Sequence, residues 1–459
     1  MKSNKILVIV VALAMSLTAT AQVRSSYFLR GSTERYELNP SLSPERGYFA
    51  IPALGLTTAL ESNFLSADNF FFPNGDGTGV VTYMHSSVSA DDFLDRLSDM
   101  NRMEMNIHDR LLAMGNYFRG GFWSVDVSLR SESSINIPKD FFALTKTLAT
   151  GTYDMAGLGI ETNNFVEAAV GYTFPVQDVF TIGVRAKALV GLAHMKARFD
   201  KVDISIGTEE YTANMAGTIE ANVAGYNFDG LTGEVTFDQM LGYATDLNNF
   251  SPDNIRSVGF AFDAGIEWTF MDEQLRLSAA ITDFGYTSWT PQNSFCGTVE
   301  NVGFAFRGYD VANNEIDFST PEQIVMTAAD AESAGKSTLH TNYVVGCEYN
   351  FLGDLIGLGV LWQGKQYGEV LHNTASVAAT FRPTPWLSAT ISESFLDNQV
   401  GVLGAAVNIH SSLVNIFFGV DYIGTSFGTA LGGKLPVPLN QNSANITFGL
   451  SLPLGIRMF

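Results

Sequence analysis

Long apolar runs are missing from this chain: nowhere do about 18 apolar residues follow one another, so no helical membrane span is encoded. Cysteine is almost absent. Cys296 and Cys347 are the only two, which excludes a disulfide framework. Basic residues are scarce, 26 against 47 acidic, and the net charge of −21 argues against a nucleic-acid partner, which asks for a basic face. The six histidines share no metal-ligand spacing and no D-x-[DN]-x-[DN]-G run occurs, so no metal and no cofactor is expected. "NGDGTG" lacks the Lys-Ser/Thr of a phosphate loop. "GTSFG" at 424–428 fits G-x-S-x-G around Ser426, but that motif needs a helix after it, and the Gly- and Pro-rich "TALGGKLPVPLNQ" follows instead. His410 beside Ser411 and Ser412 reads as a turn. No catalytic residue is expected, and the chain is read as a non-enzyme.

What the chain does have is glycine, 43 residues of it, 12% aromatics, and an amino end built for export. Lys2 and Lys5 precede "ILVIVVALAMSL", and Ala19-Thr20-Ala21 offers a small-x-small cleavage site, the pattern of a secretory signal peptide over 1–21. An exported chain without helical spans is either a soluble β protein or a barrel in an outer membrane.

Alternation decides between them. From Ile446 to Met458 every even position is apolar. "VGFAFDAGIEWTF" sets Phe260, Phe262, Ala264, Ile266, Trp268 and Phe270 against Asp263, Gly265, Glu267 and Thr269. "FWSVDVSLR" puts Asp126 and Arg130 opposite Trp123, Val125, Val127 and Leu129. In "FTIGVRAKALVGLAHM" Arg185 and Lys187 oppose an apolar set from Ile182 to Leu192. A lipid-facing strand is roughly ten residues, apolar outward and polar inward. The same phase assigns Glu167, Arg276, Glu348, Lys365, Arg382 and Glu393 to the lumen, so the expected lumen lining is Asp126, Arg130, Glu167, Arg185, Lys187, Asp263, Glu267, Arg276, Glu348, Lys365, Arg382 and Glu393. Asp283 falls in the outward phase, near a strand end.

Strands are expected near 48–60, 103–118, 122–131, 165–174, 181–195, 258–270, 275–285, 340–351, 356–368, 374–383, 387–395, 400–409, 413–423 and 444–456, about fourteen. Short links such as "RGG", "MDEQ", "LGDL" and "HSS" alternate with longer ones, as in outer-membrane barrels. The segment 196–257 is taken as a loop with room for its own hairpin. Pro453 is a position for a bulge that would reset the phase of the terminal Phe459. "SADDFLDRLSDMNR", capped by Ser89, and "IPKDFFALTKTL", opened by Pro138, are expected as short loop helices. The fold class is therefore all-β: a transmembrane antiparallel β-barrel at 48–459, with an N-terminal periplasmic or plug segment at 22–47.

At "RYELNPSLSPERGYFAIPALGL" the chain resembles outer-membrane barrels related to the long-chain fatty-acid transporter, in which an Asn-Pro-Ala motif follows an amino-terminal hatch; here it reads Asn39-Pro40-Ser41. The stretches "NNFVEAAVGYTFPVQDVFTIGVRAKALVGLAHM" and "IPKDFFAL" are similar to an uncharacterised Bacteroidetes family of such barrels, over nearly the whole mature chain. The resemblance implies a hatch-plugged, fourteen-strand barrel, with Asn39 and Pro40 as the plug motif. In the transporter family a hydrophobic ligand enters outside and leaves through a kinked strand. The function expected is passage or binding of small or hydrophobic solutes by a Gram-negative outer-membrane barrel. The alternative is a non-transporting structural or secretion-associated barrel that docks partner proteins. Expected partners are outer-membrane lipids and lipopolysaccharide, the barrel-assembly machinery during biogenesis, and a hydrophobic ligand.

Overall fold

Alternating stretches become strands because each can then show oil to one side and hydrogen-bonding groups to the other. A computed structural model describes residues 24–455 apart from 74–79, 178, 209, 311–314, 320–324, 329–334, 368–369, 397–398, 424–426, 431–434 and 439–443. Among the described residues fourteen strands form one ring: β1 (Gly47–Ser62), β2 (Met100–Phe118), β3 (Gly121–Pro138), β4 (Gly159–Val176), β5 (Phe180–Ile206), β6 (Val258–Phe270), β7 (Leu275–Ser288), β8 (Asn342–Phe351), β9 (Ile356–Tyr367), β10 (Val370–Thr384), β11 (Leu387–Leu396), β12 (Gln399–His410), β13 (Asn415–Ile423) and β14 (Ala444–Leu454). Each pairs antiparallel with the next, and β14 pairs with β1, from Gly47 opposite Leu454 to Leu60 opposite Ala444. The ring is closed. The fourteen expected strands all appear, most with ends that move by a few residues; the outer ends of β3, β4 and β5 lie 7, 6 and 11 residues beyond the expected ones.

The outer face is apolar and exposed. Phe260 keeps 66% of its surface, Val360 55% and Ile391 66%, while Asp263 between Phe262 and Ala264 keeps 0%. Among the described residues no second sheet covers the apolar face, so its solvent is lipid. The links after β2, β4, β6, β8, β10 and β12 all lie at one end of the ring, none longer than four residues. Arg119 and Gly120 join β2 to β3 with φ of 52° and 81°, the two positive values of a type I′ hairpin.

The segment 196–257 is resolved by the length of β5. Its 27 residues exceed what a bilayer asks of a strand, and the distal half pairs with a strand at Tyr211–Val223 above the ring. That strand pairs in turn with Ser294–Asp310. The sheet so formed, with the helix Phe237–Thr245, buries its own core of Ile219, Phe228, Met240, Phe295, Val299 and Met326. The ring's even strand count survives because these strands pair outside it.

The loop helices form at Ala90–Leu94, where the Ser89 hydroxyl accepts from Asp92 N–H, and at Lys139–Thr147. They pack together through Phe93 and Phe142. No register shift falls at Pro453, which sits opposite Tyr48 in an unbroken stretch. The shift on that seam belongs to β1, where 51–54 have a partner in neither ladder: Ala50 pairs with Ser451 and Gly55 with Gly449 on one side, while Ala50 and Leu56 face Ala113 and Asp109 on the other. Phe459 and Ser426 lie outside the described residues, as do 1–23 and the proposed cleavage site.

A charge at mid-wall tests the outward face. Val360→Arg should destabilise the barrel by about 2–4 kcal/mol in urea unfolding from lipid vesicles. An unchanged unfolding midpoint would contradict a lipid-facing Val360.

Candidate lumenal site

Period-two alternation on five neighbouring strands delivers acids and bases to one patch of the inner wall. Asp126, Arg130 and Glu132 come from β3, Glu167 from β4, Arg185 and Lys187 from β5, Asp263 from β6 and Asp283 from β7. Arg185 grips Asp126 with Nη2 at 2.7 and 2.9 Å from the two carboxylate oxygens, and reaches Asp263 at 3.2 Å. Lys187 Nζ lies 2.9 Å from Asp263, 3.6 Å from Glu167 and 2.5 Å from Asp283. Arg130 closes the set, at 2.9 Å from Glu167, 2.6 and 3.0 Å from Asp283 and 2.8 Å from Glu132. Every base touches at least two acids. Charges so buried persist only when each is paired.

Asp283 is a correction to the sequence reading, which set it outward. A register shift separates Phe262 opposite Phe284 from Ala264 opposite Ile281, so Thr282 and Asp283 together face Asp263. At this bulge Asp283 takes φ +60° and turns inward, its N–H donating to Asp263 Oδ1 at 2.8 Å. Glu393 is the opposite correction. On β11 the buried positions are Ser388, Thr390, Ser392 and Ser394, and Glu393 alternates with exposed Ile391 and Phe395. It pairs across to Val377 and Leu403, both outward, and so stands on the lipid side near the outer end of its strand, where a carboxylate costs less.

The other assigned residues form a second group at the short-turn end. Arg276 lies 3.2 Å from Glu267, and Arg382 bonds Glu348. Lys365, on β9, points instead at the outer half, where Nζ donates to Asn106 Oδ1 at 3.1 Å.

Residues 24–46 run inside the ring and touch it nearly all round. Arg24 N–H and Ser25 N–H donate to the Asp421 carboxylate on β13, and Arg24 pairs with Glu61 on β1 at 3.0 Å. Arg30 meets Asp354 at 2.8 Å at the turn end. Glu34 pairs with Arg110 on β2, and Glu37 with His108 at 3.2 Å and Arg110 at 3.4 Å. At Asn39-Pro40 the Asn39 side chain accepts from Ser41 N–H at 3.0 Å and donates to Tyr27 Oη at 3.1 Å, and Pro40 O accepts from Thr173 at 2.6 Å. Gly183 on β5 and Gly265 on β6 face each other there, and a β-carbon on either would overlap Pro40 O or Asn39 Oδ1. Two cross-strand glycines make the recess that seats the turn.

Arg110, Glu132 and His340 join these clusters without having been singled out from sequence. The signal for Arg110 is "EMNIHDR", in which Glu104, Asn106, His108 and Arg110 alternate polar positions along β2. A cavity of about 90 Å³ lies on the outer side of the segment, and a larger one of about 570 Å³ on the turn side, beside Arg30, Asp354 and Arg382. Among the described residues no group of His, Cys, Asp and Glu is placed to hold a metal ion.

A closed, fourteen-strand transmembrane β-barrel with clustered charge on its inner wall and an amino-terminal segment inside it is the class these features define. Within that class the chain belongs to DUF5723, a family of unknown function, whose model matches residues 40–421. Among solved structures the chain is similar to the toluene transporter TbuX of Ralstonia pickettii, at 8% identity over 92% of this chain and 94% of that one, with a TM-score of 0.42. It is similar to the toluene transporter TodX of Pseudomonas putida at 7% identity, 95% and 94% coverage and a TM-score of 0.38, and to the monoaromatic hydrocarbon channel CymD at 9%, 96%, 95% and 0.32. No curated protein matches the chain.

Removing the base from the β3–β6 cluster should expose the cost of its acids. Arg185→Leu should cost about 3–5 kcal/mol, because Asp126 and Asp263 are left buried and short of a cation. Adding Asp126→Leu should restore a large part of that loss in a double-mutant cycle measured by urea unfolding. Additive losses would mean that the pair is not coupled.

Proposed function

We propose that the protein is an outer-membrane barrel that passes small hydrophobic solutes, and that they leave sideways through the interruption in β1. The single observation that carries this reading is the unpaired stretch 51–54. In lipid every backbone group needs a partner, so a stretch that leaves both neighbouring ladders is tolerated where it lines an opening rather than a sealed wall. Behind the interruption the lining is aromatic. Tyr36 from the lumenal segment, Tyr48 from β1 and Phe122 from β3 pack at ring distances of 5.4 and 6.3 Å, with Tyr117 at 5.2 Å from Phe122. These rings are buried against one another and give the inner wall an apolar layer at that height, one of several apolar clusters set among its charged groups. The amino-terminal export signal and the bare apolar outer face both support the outer membrane as the location.

Toluene uptake by vesicles carrying the purified barrel tests the reading. The intact protein should take up more than protein-free vesicles do. Deleting residues 52–54 should give β1 a continuous ladder to β14 and bring uptake to the protein-free level, while heat-modifiable migration shows the barrel still folded. Undiminished uptake by that folded variant would remove the lateral path.

A further inference from the structure

We propose that the outer mouth carries a second closure, distinct from the lumenal segment and independent of the lateral path above: a layer of side-chain bridges that joins opposite walls of the ring. In a ring of fourteen strands β2 and β9 are diametrically opposed. Their inward side chains nevertheless meet, Lys365 Nζ donating to Asn106 Oδ1 at 3.1 Å. One strand further on, His372 of β10 lies 2.9 Å from Arg102 Nη1 and 3.7 Å from Glu104 of β2. His340, just before β8, places Nδ1 2.9 Å from Glu132 Oε2 of β3.

These residues occupy one level. Arg102 and Glu104 follow the outer end of β2 at Met100, Lys365 precedes the outer end of β9 at Tyr367, and His372 follows that of β10 at Val370. The cavity of about 90 Å³ adjoins them, lined by Arg24 and Leu38 of the lumenal segment together with Glu104, Lys365 and His372. The cavity thus has both the lumenal segment and the bridging side chains in its lining. Eight strands already enclose only enough space for their own side chains, and fourteen enclose much more, so wall-to-wall contact at one level means that the long Lys, Arg and His side chains have been sent across the gap to close it. The lower barrier is covalently one segment. The upper one is a set of bridges between strands and yields without any backbone displacement.

Ion conductance of the full-length protein in planar bilayers separates the two barriers, with potassium chloride as the probe, so the result does not depend on toluene. Gly183→Val with Gly265→Val fills the recess of the Asn39-Pro40 turn and displaces the lower barrier. Lys365→Ala with His340→Ala and His372→Ala removes the upper one. Either set alone should stay near the protein-free baseline, and the two combined should conduct. Full conductance from the glycine variants alone would overturn the second closure, and so would a folded combined variant that stays silent. Should the combined variant fail to fold, Asn106→Cys with Lys365→Cys in a Cys296→Ser, Cys347→Ser background gives a direct answer. A short bismaleimide should join the two positions within one chain, and absence of that cross-link overturns the proposal.

Discussion

Backbone N–H and C=O groups cannot be left unbonded in a hydrocarbon solvent, and that constraint fixes most of what this molecule is. It forces the sheet to close, β14 upon β1. Closure fixes which side of each strand meets lipid, and so sends every Phe, Val and Ile of the alternating sets outward and their polar neighbours inward. A ring of fourteen is too wide to be filled by its own side chains. The interior is filled instead by residues 24–46 and by arginine, lysine and carboxylate side chains long enough to bridge what remains.

Filling a low-dielectric interior with charge carries its own cost, and the inner wall answers it by pairing. Arg130, Arg185 and Lys187 each serve several carboxylates, and Asp263 and Asp283 each serve two bases. Such clusters are weak as net stabilisers and strong as determinants of a single arrangement, since moving any one strand by two residues leaves a buried charge alone. The lumenal segment extends the same logic to a part of the chain outside the sheet. Glu34 and Glu37 complete the surroundings of Arg110, and Asp421 receives two backbone donors from Arg24 and Ser25.

The fold was legible because strand parity and link length are properties of neighbouring residues. "VGFAFDAGIEWTF" carries its two faces in thirteen letters, and the "RGG" and "HSS" links carry their hairpins. What was not legible depends on contacts far apart in the chain. The bulge that turns Asp283 inward is set by its pairing with β6, where one Asp263 faces two residues, and nothing in "ITDFG" announces it. Glu393 illustrates a different limit. Its parity with Ile391 and Phe395 was present in "ATISESFL", but the phase of that strand was set the wrong way round, and the burial of Ser388, Thr390, Ser392 and Ser394 reverses it. The strand at Tyr211–Val223 read as loop because a strand's letters do not say whether its partner lies inside the ring or above it. The interruption at 51–54 is likewise a mismatch between two ladders, visible only when both neighbours are in place.

The path of residues 24–46 has a consequence for how the molecule is made. Arg24 sits between Glu61 of the first strand and Asp421 of the thirteenth, two strands that flank the last one and are brought around it by the final seam. Arg30 reaches the opposite end of the ring, and the Asn39-Pro40 turn finds its seat only where Gly183 and Gly265 stand side by side. A ring zipped out of step would offer none of these three positions together. The amino-terminal segment therefore finds all three of its seats only in a cylinder whose circumference and stagger are both correct.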